Sequence, residues 1–200
     1  MSNDTQFHIH HDAPAVVGRR ERLGVRLLIV ADGAFVAGMI FTYFYLRGLN
    51  QGGHWLPENK DHVFSTASGW LTTAPLVVAA LLHRAAAKSK SAAMSGIVFL
   101  VLLAGLVLQW KQMTNMPFII EDEARGTAFD GAYASSWVLI AGANVFHYII
   151  GSFVALGLFL RRRRAHVDPV LEMWRQATAG SWFTWIAVSG VLCAITTSIV

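Results

Sequence analysis

The stretch that decides the fold is residues 131–164, GAYASSWVLIAGANVFHYIIGSFVALGLFLRRRR. It is about 30 residues of nearly unbroken, helix-compatible apolar sequence, where about 20 suffice to cross a hydrocarbon core. It closes on Arg161, Arg162, Arg163 and Arg164, which orient a transmembrane helix by holding its basic end on the cytoplasmic side. Near its middle, Asn144 and His147 are three residues apart and share a helical face, with Gly151 one turn further along it. Such groups need a protein partner inside the membrane.

The whole chain agrees with that reading. Hydrophobic residues make up 54% of the 200 and charged residues 14%, against about 25% charged in a soluble domain. Mean hydropathy is +0.47. The formal charge of +4 comes from basic residues in short groups beside apolar segments, so it reports topology and excludes a nucleic-acid footprint. The single Cys193 lies within an apolar segment, which rules out a disulfide framework and suits a small core residue.

The expected architecture is an all-α, polytopic membrane bundle of five transmembrane helices, over about 24–46, 64–82, 92–113, 131–160 and 174–199. Residues 1–22 form a polar arm with His8, His10, His11, Arg19, Arg20 and Arg22, and residues 23–200 a single membrane domain. The arm precedes an apolar run too long for a signal-peptide core, so it is expected to stay attached. The arm, the connection with His83, Arg84, Lys88 and Lys90, and the one after Arg161 hold most of the Lys and Arg. The loop with Glu121, Asp122, Glu123 and Asp130 is acidic. The bias places the N-terminus in the cytoplasm and the C-terminus outside. Pro75 should kink the second helix or free a backbone group that neighbours re-satisfy.

The polar residues deep enough to matter are Asp32 in the first helix, Gln109 and Gln112 at the outer end of the third, and Asn144 and His147 in the fourth. Asp32 lies roughly 12 Å into its segment, where a carboxylate facing lipid is costly. A proton relay would use such a carboxylate and imidazole. The simpler reading is that these groups are hydrogen-bonded to one another and hold helices together, with His147 facing the first or third helix. Heme ligation by His147 lacks a second mid-membrane histidine, since His54, His62, His83 and His166 fall in loops or at helix ends. No zinc or copper ligand spacing recurs in the helices. Arg26, Arg84, Arg161 and Arg162 sit where snorkelling guanidinium groups meet lipid headgroups.

These residues resemble those of subunit III of the heme-copper oxidases, the cytochrome c and quinol oxidases, in a short five-helix bacterial form. The run VADGAFVAGMIFTYFYLR in the first helix is similar to the family's, with Asp32 in place of its intramembrane acid. AGANVFHYIIG resembles the family segment Gly-Phe-His-Gly-x-His-Val-x-x-Gly, with His147 on the second His and Gly151 on the last Gly. Gln109 to Gln112 resembles its Gln-x-x-Glu element. The chain departs from the pattern at Asn144 and Gln112, which replace a His and a Glu, and at Trp182 and Trp185, which replace the His and Asp of Trp-His-Phe-x-Asp.

The resemblance implies a non-catalytic accessory subunit that binds no heme or copper, those belonging to partner subunits. It implies packing on subunit I, binding of phospholipid, support of proton uptake and stability of the complex, and residence in the bacterial inner membrane. The departures also suit the subunit III-like partner of nitric oxide reductase. From another class, a small transporter would use Asp32 and His147 as a proton-coupled site.

Overall fold

The computed structural model describes residues 12–50, 55, 65–115, 131–164 and 168–199, and among them it is helical with no strand. The elements are α1 (Pro14–Leu49), α2 (Thr66–Ser89), α3 (Ala92–Thr114), α4 (Ala132–Arg162) and α5 (Pro169–Ser198). All five are long and apolar enough to cross a membrane. The arm histidines, His54, His62, His166 and the acidic residues 121–130 lie outside the described residues.

Three helices extend past the runs that hydropathy marks. α1 starts at Pro14, a residue preset for the first helical position, so residues 14–22 of the expected arm are helical. α2 continues through His83, Arg84 and Lys88 to a left-handed cap at Lys90, φ 54°. His83, expected in a basic connection, therefore sits inside a helix. α5 opens at Asp168, whose carboxylate accepts from the Val170 and Leu171 amides at 2.9 Å. Hydropathy reports the part of a helix that faces hydrocarbon, whereas the hydrogen-bonded ladder runs on into water wherever caps and propensity allow.

α2 remains helical through Pro75. The proline has no amide to offer the Leu71 carbonyl. One residue along, Thr72 O accepts the Tyr148 hydroxyl at 2.5 Å, a neighbouring helix supplying polar contact beside the break.

The helices close into a ring in which α1 touches α4, α4 touches α3, α3 touches α2, α2 touches α5 and α5 returns to α1. α4 and α5 also meet across it. Small residues permit the close approaches. A Cβ on Gly105 would lie 2.2 Å from Tyr148 Cε1, and one on Gly190 would lie 2.7 Å from Leu76 Cδ1. The burial pattern departs from that of a soluble protein: large apolar side chains such as Phe153, Val30 and Phe41 are exposed, while Asp32, Gln109, Asn144, His147 and Ser189 are buried beside apolar core residues such as Leu76 and Phe183. With lipid as solvent, apolar side chains gain nothing by turning inward and polar ones gain a great deal.

Candidate functional site

Asp32 and His147 meet at the centre of the bundle. His147 Nε2 lies 2.8 Å from Asp32 Oδ2, with His147 fully buried and Asp32 7% exposed. Trp185 Nε1 donates to the same carboxylate oxygen at 2.5 Å. Its indole reaches that oxygen over Gly33, where a Cβ would stand 3.4 Å from Trp185 Cη2. On the other side of the imidazole, Nδ1 faces Ser189 Oγ at 3.5 Å, and the Trp182 ring meets His147 edge-on at 6.1 Å. Indole N–H can only donate, so Asp32 Oδ2 acts as an acceptor, and one proton lies between it and His147 Nε2. The pair ties α4 to α1, and Trp185 and Ser189 add α5.

The second polar set is separate. Asn144 Nδ2 donates to Gln109 Oε1 at 3.5 Å, Gln109 Nε2 to Gln112 Oε1 at 2.8 Å, and Gln112 Nε2 to Ser68 Oγ at 2.7 Å. This line of amides joins α4, α3 and α2. Asn144 thus shares a helix face with His147 but reaches toward a different neighbour. Of the five candidate polar residues, the structure brings Asp32 together with His147, and Asn144 together with Gln109 and Gln112.

The four arginines assigned to headgroups divide as well. Arg26 and Arg84 are exposed, Arg84 lying 3.4 Å from Thr184 Oγ1, and Arg161 is partly buried. Arg162 turns inward: its side chain is 7% exposed. It donates to Ala86 O at 2.8 Å, Ser91 O at 3.0 Å, Ser95 Oγ at 3.1 Å and Glu172 Oε1 at 3.4 Å. One guanidinium therefore closes the end of α2, the start of α3 and the first turn of α5 onto α4. Beside it, His83 Nε2 pairs with Gln176 O at 3.1 Å, and Arg175 grips Glu21 through contacts of 3.1–3.2 Å. α4 ends at Arg162, and the 100° turn from Arg161 to Arg162 sets the two guanidinium groups on different faces, the second toward the bundle.

In chemical terms Ser189, His147 and Asp32 stand in the order of a nucleophile, base and orienting acid. Ser189 is fully buried, however, and Trp185 shares the acid, which fits a locked internal contact. Both imidazole nitrogens have protein partners, so heme ligation would require breaking one of them. No group of three or more metal-ligating side chains occurs among the described residues. Ser189 and Ser68 do not stand out in the sequence, and Trp185 does so only as a departure from the family pattern, not as a polar partner. The spacing of Trp185, Ser189 and Cys193 at intervals of four, which puts them on one face of α5, was the available signal.

No protein-family model matches the chain. Individual proteins do. The chain is 24% identical over 192 residues to cytochrome c oxidase subunit 3 of Homo sapiens, covering 91% of this chain and 70% of that protein. It is 25% identical over 190 residues to the same subunit of Dasypus novemcinctus, covering 90% and 69%. With that of Pan troglodytes the figures are 26% over 183 residues, 86% and 66%. Taken with five helices able to cross a membrane, these relatives mark a multi-pass membrane protein that is similar over most of its length to cytochrome c oxidase subunit 3.

Proposed function

We propose that the chain is an accessory, non-catalytic subunit of a respiratory heme-copper oxidase in a bacterial inner membrane, packed on subunit I, with heme and copper carried by its partners. The observation that carries this reading is the similarity to cytochrome c oxidase subunit 3 over about nine-tenths of the chain. The interior supports it, because the polar side chains at the centre are bonded mainly to one another. Arg162 reaches Ala86 and Ser91, and Arg175 reaches Glu21. The basic segments thus share one end of the bundle, which supports a cytoplasmic N-terminus by the positive-inside rule.

Phospholipid belongs to the same proposal. A cleft of about 460 Å³ between α1, α4 and α5 is walled by Val25, Leu28, Ile150, Phe153 and Trp182, with Arg161 on its lining. An acyl chain on those walls would leave its phosphate within reach of Arg161. Replacing Arg161 by alanine is expected to lower the phospholipid retained by the purified protein, read by native mass spectrometry. Equal retention would remove lipid from the reading. Support of proton uptake rests on Asp32 and His147.

The deciding experiment is purification of the tagged chain from its own membranes in mild detergent, with partners identified by mass spectrometry and visible spectra recorded. The expected result is co-purification with a heme-copper catalytic subunit and no heme on the chain expressed alone. A stoichiometric heme on the isolated chain overturns the proposal. Nitric oxide reductase subunits in the eluate would move the protein to that assembly, a reading that the replacement of family polar residues by Trp182 and Trp185 favours. Proton flux through liposomes holding this chain alone, lost in Asp32→Asn, would instead make it a transporter.

A further inference from the structure

A small cavity lies between α2, α3, α4 and α5, toward the end of the bundle where α3 stops and α4 begins. Gln109, Gln112, Asn144, Thr73, Thr197 and Cys193 contribute to its wall. About 20 Å³ of it is open to the centre of a water molecule, and one ordered water needs about 10–15 Å³ by that measure. Asn144 is 5% exposed, and its Oδ1 has no hydrogen-bond partner among the described residues. A buried amide oxygen demands a donor. Thr73 donates to Gly190 O at 3.4 Å and Thr197 to Cys193 O at 3.1 Å, which leaves each hydroxyl oxygen its lone pairs to accept with. The lining residues Gly69, Gln112 and Thr197 are partly exposed and form the mouth, while Asn144 and Cys193 are buried and form the floor.

We propose that this cavity is a structural water site. An ordered water there donates one hydrogen to Asn144 Oδ1 and the other to a threonine hydroxyl, joining α4 to α2 or α5 and hydrating the bundle from its mouth as far as Cys193. The Cys193 thiol contacts Ser189, whose hydroxyl faces His147 Nδ1 at 3.5 Å. Cys193 and Ser189 therefore stand between the cavity and the Asp32–His147 pair. The site stands on the geometry of this chain, whichever complex it joins.

Cys193 is the chain's single cysteine, so its S–H stretch is a unique infrared reporter on the cavity floor. The full chain in lipid nanodiscs is transferred to D2O buffer, with Cys193→Ser assigning the band. In the native protein the band is expected to move to S–D within minutes. Asn144→Leu fills the cavity with carbon and is expected to slow the exchange about tenfold. Gly69→Ala narrows the mouth and covers the case in which Asn144→Leu does not fold. Its Cβ meets Thr197 Oγ1 at 3.7 Å, an ordinary contact, and slower exchange is again expected. An S–H band that persists for hours in the native chain, or exchange equally fast in the native protein and both variants, overturns the proposal.

Discussion

Replacing Asp32 by leucine removes the hydrogen-bond partner of the buried His147 Nε2 at 2.8 Å and the acceptor of the half-buried Trp185 indole, Nε1 at 2.5 Å. Each polar group left without a partner costs about 1–3 kcal/mol, or about 2–6 kcal/mol for both. In a membrane-like solvent the unfolded reference finds substitute partners, which sets the expected loss in the lower half of that range, about 2–4 kcal/mol. Asp32→Asn keeps an amide oxygen to accept from Trp185 Nε1 and a polar group beside His147 Nε2, so its loss should be smaller than that of Asp32→Leu. Adding His147→Leu to Asp32→Leu removes one orphan together with its former partner. The double variant should then be more stable than the sum of the single losses predicts, by at least about 1 kcal/mol. The assay is reversible unfolding of the purified chain in mixed micelles with increasing dodecyl sulfate, followed by circular dichroism. A loss below about 0.5 kcal/mol for Asp32→Leu, or strict additivity with His147→Leu, would refute the account of this pair as the contact that joins α1, α4 and α5.

In the same unfolding assay, Gly105→Ala should destabilise by about 1–3 kcal/mol through overpacking, because the new Cβ would sit 2.2 Å from the buried Tyr148 ring. That penalty should shrink in a Tyr148→Leu background, where the ring is gone. Arg162→Ala should cost about 2–4 kcal/mol by freeing two carbonyls, a hydroxyl and Glu172 at once. The exposed neighbour change Arg164→Ala should stay within about 0.5 kcal/mol. Arg162→Lys should recover only part of the loss, since a single ammonium cannot reproduce the guanidinium fork.

Sequence alone was enough to count the spanning helices, because a bilayer leaves an extended apolar run few ways to satisfy its backbone and the run of residues 131–164 has to be a helix. It also pointed to Asp32 and His147, since burying a carboxylate and an imidazole in hydrocarbon is too costly without a partner. Their pairing, and the separation of Asn144 from it, depended on the rotation of each helix about its axis. Adjacent apolar faces differ little in energy toward lipid, so small residues and side-chain packing set that rotation. The same holds for Arg162, one of four adjacent arginines with identical local chemistry, for Ser189, and for Trp185, which the sequence marks only as a departure from the family pattern. Hydropathy tells which residues meet lipid along the membrane normal. Which side of each helix meets another helix was decided only when α4 and α5 closed the ring, bringing Trp185 over Gly33 to the carboxylate of Asp32.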